Sequence, residues 1–89
     1  MKFKNFEKVE YEVQYVKIPA KEEASGLCYS PDGKNPHIKV DKDLKVRRQV
    51  NVLIEEVFHA HFYDLPEWKA RKFAANLGKL IYNRYLKKK

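Results

Sequence analysis

A single cysteine, Cys28, excludes an internal disulfide, and with no second thiol at ligand spacing it argues against a thiolate zinc site. A lone packed thiol fits a reducing cytosol. The opening Met1–Phe6 stretch has positive charge but no apolar block behind it, so no secretory signal is expected and the expected location is cytoplasmic. No apolar run is long enough to cross a bilayer, which removes the membrane as an expected partner. The three glycines are scattered, so there is no phosphate-cradling loop. Ser25, Ser30 and Cys28 stand beside no recognisable base motif, which argues against nucleophilic catalysis. Acidic residues are the minority, 12 Asp+Glu against 19 Lys+Arg, for a formal charge of +7. That excess favours contact with nucleic acid or an acidic protein without specifying either.

The residues present describe an ordinary globular chain. Its 89 residues, 44% hydrophobic and 35% charged, suit one domain over 1–89 with a single modest core. Val9, Tyr11, Val13 and Tyr15 alternate with Glu10, Glu12 and Gln14, the period of a strand covered on one face. Pro19 closes that strand. Leu27–Tyr29 and His37–Asp41 flank Ser30–Pro36, a stretch of turn chemistry with proline for a corner and Gly33 able to take positive φ. The expected sheet, spanning about 7–41, is three-stranded and antiparallel. A central helix follows over about 44–63, capped by Asp43, with Val46, Val50, Leu53, Ile54, Val57, Phe58, His61 and Phe62 as its core stripe. A last helix spans about 65–86, opened by Asp64, Pro66 and Glu67 and carrying Ala70, Phe73, Ala74, Leu77, Leu80, Ile81 and Tyr85 at helical spacing. Gly78 within it is expected to mark close contact with the central helix. The predicted class is α+β: a sheet followed by two packed helices.

Glu55 and His59 lie four apart on the central helix, on the side that also carries Arg48 and Val52, so they either share a metal ion or pair with each other. The run Glu55-Glu56-Val57-Phe58-His59 is one residue from His-Glu-x-x-His, in which two histidines a turn apart hold zinc and the glutamate activates water. Leu53-Ile54 ahead of it, Ala60 and Phe62–Leu65 behind it, and the strand pair before it resemble small HExxH zincin-like proteins of phages and bacteria. Ala70–Leu77 is similar to a helix of the ImmA/IrrE-type metallopeptidases, whose opening glutamate is the third zinc ligand. The resemblance covers roughly residues 26–86 and implies a minimal zincin frame. By it, Glu56 matches the water-activating glutamate and His59 the second ligand. Glu55 replaces the first histidine, and Lys69 falls at the third ligand position.

An ammonium cannot serve as a metal donor, so this alignment implies that an ion pair, Glu55 with Lys69, replaces the metal in a degenerate EExxH site. The first expectation is therefore a catalytically inactive, zincin-like, phage-type module that binds another protein and holds no resident cofactor. A second alignment makes Glu67 the third ligand with Glu55 and His59. That set suits manganese or iron better than zinc, and gives an active small metallopeptidase with Glu56 as its base. Glu67 also reads as a capping residue in i, i+4 contact with Arg71. A third expectation is a basic nucleic-acid-binding domain, in which Tyr82, Arg84 and Tyr85 beside Lys87, Lys88 and Lys89 stack on bases and neutralise phosphate. His61 reads as a hydrogen-bonded core histidine and His37 as an edge residue.

Overall fold

The alternation beginning at Val9 forms a strand, and Tyr11 and Val13 are its buried residues. The computed structural model describes residues 1–87, and Lys88 and Lys89, two of the three tail lysines, lie outside the described residues. Four strands, β1 (Lys2–Lys4), β2 (Glu10–Val16), β3 (Gly26–Cys28) and β4 (His37–Asp41), precede two helices, α1 (Val46–His61) and α2 (Glu67–Ile81). A 3-10 turn at Ala20–Glu22 links β2 to β3, and a π-helical turn at Tyr82–Leu86 prolongs α2. The class is α+β, as the patterning predicts.

The sheet itself differs from the three antiparallel strands expected. It has four strands in the order β1-β2-β4-β3, with β2 and β4 parallel and both outer pairs antiparallel. The hairpin of β3 and β4 forms as expected, but it docks on β2 through β4, whose Ile38 and Val40 are fully buried. A strand apolar enough for the sheet's centre takes the inner place and leaves short β3 at the edge. The long connection between β2 and β4, with β3 inside it, meets the reach a parallel pair needs. The turn of residues 30–36 is closed by Ser30, whose carbonyl accepts from Gly33 N–H at 3.1 Å, and no glycine has positive φ. The left-handed residues are Lys8 and Glu23 instead.

The core joins Tyr11, Ile38 and Val40 of the sheet to Val52 and Ala60 of α1, with Phe3, Val9, Cys28, Leu44, Leu53 and Val57 around them. The buried ridge of α1 is thus Val52, Glu56 and Ala60, while of the expected apolar stripe Leu53 and Val57 pack at the border of the core. Val46 is 58% exposed, and Ile54, Phe58 and Phe62 with Phe73 and Leu77 of α2 line an open apolar groove. Small residues let the helices approach closely: α2 buries Ala70, Ala74 and Gly78. Gly78 lies against Asn51, as its place in the pattern suggests. Neither helix has the expected side-chain cap. α1 opens at Lys45 while Asp43 pairs with Lys17 at 3.8 Å, and α2 opens at Pro66 rather than Asp64.

Asn5 ties the β1–β2 turn to the end of α1. Its buried amide donates to the Ala60 carbonyl at 3.0 Å and accepts from the N–H groups of Glu7 and Val9 at 2.9 Å each. Asn5→Ala removes three hydrogen bonds and leaves the buried Ala60 carbonyl without its partner, so it should destabilise the fold by about 2 kcal/mol. Asn5→Asp keeps both acceptor bonds and should cost less. Urea denaturation of the two variants checks the order.

Candidate metal centre

One turn of helix separates Glu55 from His59 on α1, so both face the same side. α1 closes at Phe62, whose N–H donates to Phe58 at 2.8 Å, and Leu65 N–H donates to Phe62 at 2.9 Å. This tight return delivers Glu67, the first residue of α2, against the other two. Ligand atoms of Glu55, His59 and Glu67 then lie within 4.8 Å of one another. Donors on a common ion at about 2.1 Å each are at most about 4.2 Å apart, so a small side-chain adjustment closes the set. The group can hold a divalent metal ion.

The donors show their own incompleteness. His59 Nε2 is buried, lies 3.4 Å from Glu67 Oε1 without the alignment of a hydrogen bond, and has no other partner. Buried ring nitrogens rarely go unpartnered, so an orphan aimed at two carboxylates fits a ligand. Burial, then the hydrogen bond and charge of Glu67, raises the Glu55 carboxyl above its ordinary range. At Glu67 burial acts the same way, but the Glu55 hydrogen bond and the charges of His59 and Arg71 outweigh it and hold that carboxyl low. Of the two carboxyls, Glu55 is thus the one whose charged form is disfavoured. Arg71 lies 3.7 Å from Glu67, the i, i+4 contact anticipated, so Glu67 makes that contact and faces His59 at once.

Glu56, next to Glu55 on α1, is buried rather than lying on the surface. It is 6% exposed, and burial, then the charges of Glu55 and Glu67, push its carboxyl up to about 8. Its space comes from Gly26 on β3, where a Cβ would lie 3.0 Å from Glu56 Oε2 and 2.5 Å from Val52 Cγ1. Cys28, two residues on, is a free thiol pushed up to about 12 by burial and then by Glu56, so it stays protonated. Sequence reasoning missed the role of Gly26, although an isolated glycine beside a strand signals close approach.

Lys69 is not brought to Glu55. It is exposed, its ammonium lies 5.7 Å from the centroid of the Trp68 ring, and no Glu55–Lys69 ion pair forms among the described residues. The replacement of a metal by that pair is thus absent from the fold. His61 packs among Phe3, Phe6 and Phe62 and accepts from Phe6 N–H at 3.1 Å, the hydrogen-bonded histidine expected. His37 stacks on Tyr29 at 4.0 Å. Tyr82, Arg84 and Lys87 fall beyond the far end of α2 from Glu67, where Arg47 covers Tyr82 at 5.2 Å and Arg84 lies 5.8 Å from the Tyr85 ring.

Around the trio opens a cleft of about 940 Å³. One wall is β3 and the residues before it; the other is α1 from Arg48 to His59, with Leu65, Glu67 and Arg71 closing one side. The Ser25 carbonyl accepts from Asp41 N–H at 2.9 Å and Tyr29 N–H donates to the His37 carbonyl at 3.0 Å, so Gly26 and Cys28 occupy the alternate positions whose N–H and C=O point to the open edge. No helix among the described residues is long and apolar enough to cross a membrane. Compared with known proteins, the chain matches no family model, no curated protein and no solved structure.

Proposed function

We propose that the chain is a metal-dependent peptide hydrolase with a minimal zincin-like frame, its ion held by Glu55, His59 and Glu67. The observation that carries this reading is the convergence of those three donors beside a buried carboxyl, Glu56, in an open cleft. A divalent cation bound there supplies a Lewis acid for a carbonyl and acidifies a water. The chain's own part is to place Glu56 within the cleft as the proton acceptor, in a site dry enough to tune it toward neutral pH. The free edge of β3 suits an extended peptide, which adds to Gly26 and Cys28 through main-chain hydrogen bonds. Two carboxylates and one imidazole favour manganese or ferrous iron over zinc. The metal-free interaction module rested on a Glu55–Lys69 pair, so the hydrolase reading has the stronger structural support.

Metal titration tests it directly. Purified protein freed of metal should take up one Mn²⁺, Fe²⁺ or Zn²⁺ per chain. At a free concentration about 100 times the dissociation constant, the ion should stabilise the fold by about 2.7 kcal/mol. His59→Ala and Glu67→Ala should each weaken uptake at least about tenfold, following the loss of one ligand. Uptake should become tighter as pH rises, because the ligands bind the ion in their deprotonated forms and the Glu55 carboxyl is shifted up. Peptide cleavage should appear with the metal and disappear with a chelator. Failure of all three metals to bind sinks the reading.

A further inference from the structure

The metal-ligating residues fill only one end of the cleft. On α1 its wall continues as a single stripe from His59 through Glu55, Val52 and Asn51 to Arg48. Arg48 precedes Glu55 by seven residues, so its backbone lies about 10 Å further along the helix axis. Arg71, the cleft's other arginine, is engaged by Glu67 at 3.7 Å. Arg48 is exposed and forms no ion pair among the described residues, even though Glu23 also borders the cleft. A guanidinium offers a fixed fork of donors matched to a carboxylate, and here that fork is uncommitted.

We propose that Arg48 is a specificity-determining residue that selects peptides carrying an acidic side chain about three or four residues from the bond at the metal. The inference rests on the peptide-hydrolase reading and adds the substrate class to it. An ion shared by Glu55 and His59 would lie about midway between them, about 13 Å along the axis from Arg48. An extended chain advances about 3.3 Å per residue, so that span corresponds to about the third or fourth residue from the metal. Such a carboxylate is too far out to be the C-terminus of a dipeptide held at the ion, which points to cleavage within a chain. A peptide on the β3 edge leaves the metal in two directions, and only one passes Arg48. The acidic preference therefore belongs to one side of the bond.

Peptide hydroxamates, which bind a metal centre without turnover, provide the test. In one series the hydroxamate closes the C-terminus; in the other a succinyl hydroxamate opens the N-terminus. Each series carries Glu, Ala or Lys at the third or fourth residue, and affinities are measured by calorimetry on manganese-loaded protein. In one series only, the Glu probe should bind about fivefold more tightly than Ala. Arg48→Ala should erase that advantage, and Arg48→Glu should transfer it to the Lys probe. Metal content measured on the same samples reports whether the centre is intact. Equal affinities across a series pair, or a Glu preference that survives Arg48→Ala, overturns the role of Arg48 and leaves the hydrolase reading standing. If metal is bound but no hydroxamate binds, the peptide-hydrolase reading itself falls and takes this inference with it.

Discussion

Glu56→Gln should stabilise the metal-free protein at pH 8 by about 2–5 kcal/mol while abolishing peptide hydrolysis by the metal-loaded protein. The carboxyl is buried beside β3 and titrates near 8, against an ordinary value of 4.5. Between those two pH values the native state keeps a proton that the unfolded chain has released. Folding stability therefore falls as pH rises through this window, by up to about 1.4 kcal/mol per unit, and the loss is complete above the native value. Below the unfolded value both states are protonated and the penalty vanishes. Glutamine fills the same space with no charge to bury, so the variant escapes the alkaline loss. Urea denaturation at pH 5 and pH 8 measures the difference. Parallel pH slopes for the two proteins would show that Glu56 ionises freely in the fold. The same substitution removes the only buried carboxyl among the described residues that lines the cleft, so turnover should be lost with the metal still bound. A residue that weakens the fold and is needed for activity is the expected signature of a functional site.

The parts of this structure legible from sequence are those governed by local period. Alternation at Val9–Tyr15 marks β2, turn chemistry at 30–36 marks the β3–β4 hairpin, and helical spacing marks α1 and α2. Pairing is decided elsewhere. Nothing local to β2 says that it lies parallel to β4, because that follows from which hairpin strand has side chains apolar enough for the centre. β1 is not legible, because three residues with Phe3 alone facing inward carry no period. The facing of α1 is only partly legible for a related reason. Large apolar residues mark a hydrophobic stripe, but the closest approach to the sheet goes to Val52, Glu56 and Ala60, and the aromatics turn to the groove shared with α2. At the site, Glu55 and His59 are legible because their spacing lies within one helix. Glu67 depends on the return at Phe62–Pro66, and the choice between it and Lys69 is one of register. Two residues along a helix rotate a side chain by about 200°, so both cannot face His59. The structure turns the exposed Glu67 toward His59 and leaves Lys69 beside Trp68.

Gly26→Ala should destabilise the protein by about 2 kcal/mol and reduce hydrolysis far more than metal binding. Gly26 lacks positive φ, so alanine meets no backbone objection there, and relief of glycine's chain entropy even favours it by about 0.5–1 kcal/mol. The cost is steric. The new methyl would lie 2.5 Å from Val52 Cγ1 and about as close as contact allows to the Glu56 carboxyl, at 3.0 Å. Valine on a helix has essentially one χ1 well, so Cγ1 cannot swing aside cheaply, and β3 must part from α1 instead. Overpacking of this kind costs about 1–3 kcal/mol, which outweighs the entropic gain. Val52→Ala removes the colliding atom, so Gly26→Ala introduced on that background should cost less, with a coupling of at least about 1 kcal/mol in a double-mutant cycle. Strictly additive costs would place the strain somewhere other than this contact. The functional split follows from what the methyl touches. Glu55, His59 and Glu67 stand on the side of α1 that meets α2, whereas Glu56 alone of the acidic group presses on β3. A displaced edge strand thus loses its grip on the proton acceptor and on the peptide while the three metal donors keep their places, which separates the role of the ion from the role of the wall beside it.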